Sequence, residues 1–149
     1  MIEKQDFYHG AALTRLVEHP KCQSIKREEP GYVVNGDTFI FLKYSTKGRS
    51  PWRFIFGQEE VEYLKISASC YRQTILGFIC GGDGICGLPW REAERLLANE
   101  GGWISVRRNF NERYGVAGSN GKLVGKIPIL DWPLLVFEIA QERIEAITS

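Results

Sequence analysis

The stretch GYVVNGDTFIFLKYSTKGRSPWRFIFG, Gly31 to Gly57, decides how this chain is read. Asn35-Gly36 supplies two adjacent residues that tolerate positive φ, which a type I′ hairpin turn requires. The flanking segments GYVV and DTFIFLKYS have the composition of strands. Residues 39–42 are apolar on both faces, which predicts a central strand covered above and below. After the turn TKGRSP, WRFIFG returns with Trp52, Phe54 and Phe56 on one face at period two. The three segments are expected to pair as an antiparallel meander.

Helix and strand signals continue outward in both directions. Asp6 can cap a helix over 7–18, with Ala12, Leu13, Leu16 and Val17 as its apolar stripe and Pro20 as its stop. Residues 24–29 read as an exposed edge strand or a loop. QEEVEYLKISAS predicts a helix with Glu59, Glu60 and Glu62 in its first turns, where the dipole favours anions, and Val61, Leu64 and Ala68 inward. TILGFICG and ICGLP read as strands joined by the GGDG turn. Pro89 opens a helix over 89–98 with Ala93, Leu96 and Leu97 inward, ended by Gly101-Gly102. WISVRR, RYGVAG and KLVGKI form a second meander. Asp131 and Pro133 start a last helix over 133–147, with Val136, Ala140, Ile144 and Ile147 at helical spacing. The expected fold is α+β, one domain over 1–149, mostly antiparallel with about four helices, in the order α-βββ-α-ββ-α-βββ-α.

With 149 residues, 44% of them hydrophobic and 25% charged, the chain has the balance of a soluble globular fold. No apolar run approaches the ~20 residues that span a bilayer. The start, MIEKQDFYHG, has no signal-peptide apolar region. A cytoplasmic protein with no membrane partner is expected, its four cysteines as thiols.

The net charge is +1, but it is distributed unevenly. Lys43, Lys47, Arg49 and Arg53 fall around one turn with no acid among them. Arg107, Arg108, Arg113, Lys122 and Lys126 crowd the second meander and its flanks against Glu112 alone, while residues 130–149 are acidic. Cations on hairpin tips can neutralise phosphates, and Trp52 or Tyr44 could stack on a base. Cations at turns also guard strand edges against mispairing, and Trp52, Phe54 and Phe56 have the spacing of core residues. The phosphate-binding candidates are therefore Lys43, Lys47, Arg49, Arg53, Arg107, Arg108 and Arg113, with Trp52 as the stacking candidate.

In CGGDGIC, Cys80 and Cys86 flank a glycine-rich tip holding Asp83. A three-residue loop over 82–84 would set the cysteines opposite each other, and a two-residue turn would send them to opposite faces. The C-x5-C spacing is not that of a zinc site. The glycines lack the GK[ST] of a phosphate loop.

The order helix, three strands, helix, strand over residues 7–81 resembles the core of the PD-(D/E)XK, or restriction-endonuclease-like, fold. The resemblance implies Asp37 at the start of the second strand as a catalytic and metal-binding carboxylate. Glu59 or Glu60 would be its partner, and Glu18 the helix carboxylate. If Ser45 faces Pro51, Asp37 faces Glu59, and the two could share Mg²⁺ for phosphodiester hydrolysis. The lysine that should follow two residues after the acid is absent, since Val61 and Glu62 stand there. Two functional readings follow. One is a nucleic-acid-associated domain of nuclease-like architecture binding DNA or RNA, with mobile-element or phage-defence systems as the fold-level analogy. The other is a non-enzymatic protein-interaction module, an accessory subunit or antitoxin-like partner that meets a protein surface of complementary charge.

Overall fold

A computed structural model describes residues 1–139. The fold is α+β and the element order follows the expectation. Helix α1 (Lys4–Val17) leads to β1 (Ile25–Glu28), β2 (Gly31–Val34), β3 (Thr38–Ser45) and β4 (Trp52–Phe56). Helix α2 (Gln58–Cys70) follows, then β5 (Gln73–Cys80), β6 (Gly84–Pro89) and α3 (Trp90–Arg95). The chain continues through β7 (Gly102–Arg107), β8 (Gly115–Gly118) and β9 (Gly121–Lys122) to α4 (Asp131–Leu134), which runs on as a π turn over Leu135–Ile139. The segment left open at 24–29 is thus an edge strand. Of the last predicted helix, Ala140, Ile144 and Ile147 lie outside the described residues.

Two sheets are present, in the orders β1-β2-β3-β5-β6 and β4-β7-β8-β9. The Asn35-Gly36 hairpin forms as predicted, with φ of 54° and 73° at its two turn residues, and sets Tyr32 opposite Ile40. The expected three-stranded meander does not close. Strand β3 takes β5 as its other neighbour, in parallel from Thr38↔Gln73 to Ser45↔Cys80, while β4 crosses to the second sheet and pairs with β7. The cause lies in β3 itself, since a strand apolar on both faces needs cover on both. Strand β5 is buried at all eight positions and is the better neighbour inside a two-sided sheet. Strand β4 has only one apolar face, and lays it onto β3 and β5 from above.

Two cores result. Between the sheets, Phe39, Phe41, Leu76, Phe78, Cys80, Cys86 and Leu88 meet Trp52, Phe54, Phe56, Ile104, Val106 and Val116, with Val61 and Leu64 of α2 at one end. On the other face, Ile40, Leu42, Ile75, Ile79 and Ile85 meet Ala12 and Leu16 of α1 and Trp132, Leu135 and Val136 of the last helical segment. Trp132 needs glycine below it. A Cβ on Gly77 would stand 2.8 Å from its ring and one on Gly87 3.0 Å. Two details depart from expectation. Asp6 serves as the N3 residue of α1, accepting from the Glu3 N–H at 2.8 Å, and Ser67 rather than Ala68 is the buried residue in the third turn of α2.

Candidate nucleic-acid interface

The second sheet has one buried face and one open face. Alternation in β4 turns Arg53 and Ile55 outward from the buried Trp52, Phe54 and Phe56. Alternation in β7 turns Trp103, Ser105 and Arg107 outward from the buried Ile104 and Val106. The register then assembles a surface. Arg53 lies opposite Ser105 and Ile55 opposite Trp103, Ser105 opposite Ala117, and Ala117 opposite Lys122 of β9. The outward positions of this sheet hold three cations, one indole and no carboxylate. The Arg53 guanidinium lies 4.3 Å from the centroid of the Trp103 ring, so a cation and an aromatic plane form one continuous platform. Ile55 beside them is 63% exposed, an apolar residue in the midst of cations.

The loop before β4 adds to one end of this face. Lys47, Arg49, Arg107 and Arg113 are exposed, and the Ser50 hydroxyl donates to the Arg108 carbonyl at 3.0 Å. That bond ties the basic turn to the end of β7. Of the cations named from sequence, Arg53 and Arg107 share the open side of the second sheet, while Lys47 and Arg49 stand in the turn at its end, the Lys47 ammonium donating to the Pro51 carbonyl at 3.1 Å. Sequence reasoning missed Trp103 and did not use Lys122 as a contact. The alternation in WISVRR was the available signal for Trp103, but only the β4–β7 register sets it against Arg53.

Three of the named residues do something else. Trp52 is 2% exposed, and its indole N–H donates to the Lys47 carbonyl at 2.9 Å. It is a core residue that pins the turn and cannot stack on a base. Arg108 grips Asp83, with Nε–Oδ2 at 2.8 Å and Nη2–Oδ1 at 2.5 Å, so its charge is already neutralised. Lys43 is held by the Ile55 carbonyl at 2.7 Å and by Glu60 at 2.8 Å. It bridges the two sheets.

The carboxylates do not assemble as the nuclease-like reading requires. With β5 beside β3, Asp37 does not face Glu59. It pairs with Arg72 at 2.8 Å and accepts from the Thr38 hydroxyl at 3.0 Å. Glu60 binds Lys43, six strand residues or about 20 Å along β3 from Asp37. Glu59 is an exposed residue in the first turn of α2, and Glu18 is the C-cap residue of α1. Among the described residues, no group of three or more His, Cys, Asp and Glu side chains gathers to hold a metal. The facing of Asp37 and Glu59 across paired strands, on which a shared Mg²⁺ was expected, is not formed, because β4 pairs with β7 and not with β3.

The CGGDGIC hairpin closes with Cys80 opposite Gly84 and Cys86 opposite Phe78, through a three-residue connection over 81–83. Both thiols lie in the core between the sheets, and all four cysteines are unbridged. Burial pushes the Cys80 thiol far up, helped by the nearby Asp83 charge, which leaves it inert as a nucleophile. Asp83 is the working residue of this hairpin. Besides Arg108, it accepts from the Tyr114 hydroxyl at 2.9 Å, and the Arg108 hydrogen bonds hold its carboxyl below the usual range. Tyr114 is itself pushed up by burial and stays a neutral donor. The cluster welds the β5–β6 turn to the β7–β8 connection.

No protein-family model, curated protein or solved structure gives a significant match to the chain. Among the described residues, no helix is long and apolar enough to cross a membrane.

Proposed function

We propose that the open face of the second sheet binds single-stranded nucleic acid. The observation that carries this reading is the β4–β7 register, which stacks Arg53 on Trp103 beside Ile55, with Arg107 on the same face four residues along β7 from Trp103. Single-strand binders combine cations that track phosphates with an aromatic plane on which any base can stack. A broad sheet face suits splayed bases better than it suits a duplex, whose grooves take a helix or a narrow ribbon. The reading is one of binding, because Asp37 is engaged by Arg72 and Glu60 by Lys43, while Glu59 stands apart from both in the first turn of α2.

The test is titration of fluorescent oligo(U), oligo(dT) and a duplex of matched length across a salt series, with and without Mg²⁺. Single strands are expected to bind more tightly, with affinity falling steeply as salt rises. Trp103→Ala should weaken binding about tenfold, in line with the ~1–3 kcal/mol of one base stack. Equal affinity for duplex and single strand, or no binding at low salt, would overturn the proposal.

A further inference from the structure

Strand β3 has an edge that its own chain leaves open. Its pairing with β2 covers only Thr38 to Ile40, because β2 begins at Gly31, just after the chain turns out of β1 at 29–30. From Phe41 to Ser45, β3 is paired with β5 on one side and, among the described residues, with no strand on the other. That unpaired edge is the floor of an open groove of about 410 Å³, lined by Phe41 to Tyr44, by Arg53 to Ile55, by Gln5 and His9 of α1, and by Arg27, Glu29 and Pro30. The groove continues the line of β2, in the place the next strand of this sheet would occupy.

Its two walls differ in chemistry. On the side of the second sheet stand Arg53, Phe54 and Ile55, with the Lys43 ammonium tied to the Ile55 carbonyl and to Glu60. On the side of α1 stand His9, Leu42 and Tyr44. His9 bonds the Tyr32 hydroxyl at 3.0 Å, and burial together with the Arg27 charge holds its pKa down, so this wall is neutral at pH 7. Tyr44 is stacked on Tyr8 at 4.8 Å between ring centroids. Arg27 closes the end, braced by Glu29 and by the Tyr32 hydroxyl. Arg27 and Lys43 are matched by Glu29 and Glu60, so Arg53, on the wall of the second sheet, is the lining cation left without an ion pair among the described residues.

We infer that this slot receives an extended acidic segment of a partner protein, which pairs with Phe41–Ser45 as an added strand. A strand in this place sends alternate side chains to opposite walls. The fitting sequence therefore alternates acids, directed at the Arg53 side, with apolar residues directed at Leu42 and Tyr44. Backbone hydrogen bonds supply the affinity, and the two walls supply the pattern. This inference is independent of the nucleic-acid reading, although Arg53 borders both surfaces.

The test is an amide NMR titration of the full chain, with hydrogen exchange, against an end-blocked peptide of alternating glutamate and valine. Shifts and slowed exchange are expected within Phe41–Ser45, with none in β8 and β9. Arg53→Glu, an exposed change that leaves the fold intact, should weaken the peptide about tenfold or more through charge reversal. The same peptide with alternate backbone amides N-methylated should not bind. Equal binding by the N-methylated peptide would overturn the inference, because it would mean adhesion through side chains alone. Protection of Phe41–Ser45 by oligo(U) and not by the peptide would overturn it too, giving the slot to nucleic acid.

Discussion

The five-stranded and four-stranded sheets are made of similar strands, yet they stand in different relations to water. Strand β5 is buried at every position, whereas β4 alternates buried with exposed from end to end. The first sheet has α1 and α4 on one face and the second sheet on the other. Among the described residues, the second sheet has no such cover outside. The two faces of a doubly covered sheet can only hold the fold together, which leaves its edges for other work. A singly covered one presents a flat array whose side chains are free to meet a ligand. Function in this molecule is therefore best sought on β4 and β7 and along the open edge of β3, and stability in β5 and β6.

Substitutions should separate the two roles, and the largest effect is expected in the covered sheet. Phe78→Ala removes a ring with 0% exposure that packs against Phe54 at 4.8 Å and Phe56 at 6.1 Å. It should cost about 3–5 kcal/mol by chemical denaturation. If it costs under about 1 kcal/mol, the two sheets are not packed as described.

Asp83→Ala should come next, at about 2 kcal/mol, because it strands the buried Tyr114 hydroxyl and leaves Arg108 without its acceptor. Its pH signature has a definite sign. The folded carboxyl titrates below its unfolded value. Its contribution is thus complete above the ordinary carboxylate range and is lost as pH falls through the folded pKa. The wild type should lose stability in acid more steeply than Asp83→Asn, and parallel acid limbs would refute the assignment.

Arg53→Ala combined with Arg107→Ala should leave stability within about 0.5 kcal/mol. The same pair should lower single-strand affinity and reduce the salt slope by about 0.7 per lost phosphate contact. A drop in thermal stability without a change in binding would reverse the roles given to the two sheets.

The smallest effect is expected at Asp37→Ala. Its pair with Arg72 is exposed on both sides and contributes about 0–1 kcal/mol, and binding should not change. If the wild type cleaved an oligonucleotide with Mg²⁺ and Asp37→Ala abolished that cleavage, the comparison between sheets would have missed a catalytic centre.

Much of the local structure could be read along the chain. Asn35-Gly36 announced its hairpin, and the glutamates after Gly57 announced the start of α2. The glycines of CGGDGIC marked a tight turn, and β4 declared its buried face by alternation. The candidate site was legible only in parts. Arg53 and Arg107 were visible as cations, but Trp103 was one more aromatic in a strand. Gln5 and His9 of α1 and Arg27 of β1, far in sequence from Arg53 to Ile55, gave no sign of sharing a groove with them. Trp52 misled because its place beside the basic turn suggested exposure, while its parity with Phe54 and Phe56 placed it in the core.

What the amino-acid order determined by itself was the set of elements, their sequence and the apolar side of each, because turns, caps and periodicity act over a few residues. Tertiary structure alone decided which strands became neighbours. WRFIF satisfies a meander with β3 as well as a pairing with β7, and the local pattern does not distinguish them. The choice follows from burial summed over the whole sheet. Strand β3 needs two covered faces, β5 has no polar face to offer water, and β4 has one. Placing β5 beside β3 and laying β4 across them buries every apolar face. It also leaves the Arg53 and Trp103 side of the second sheet exposed to solvent.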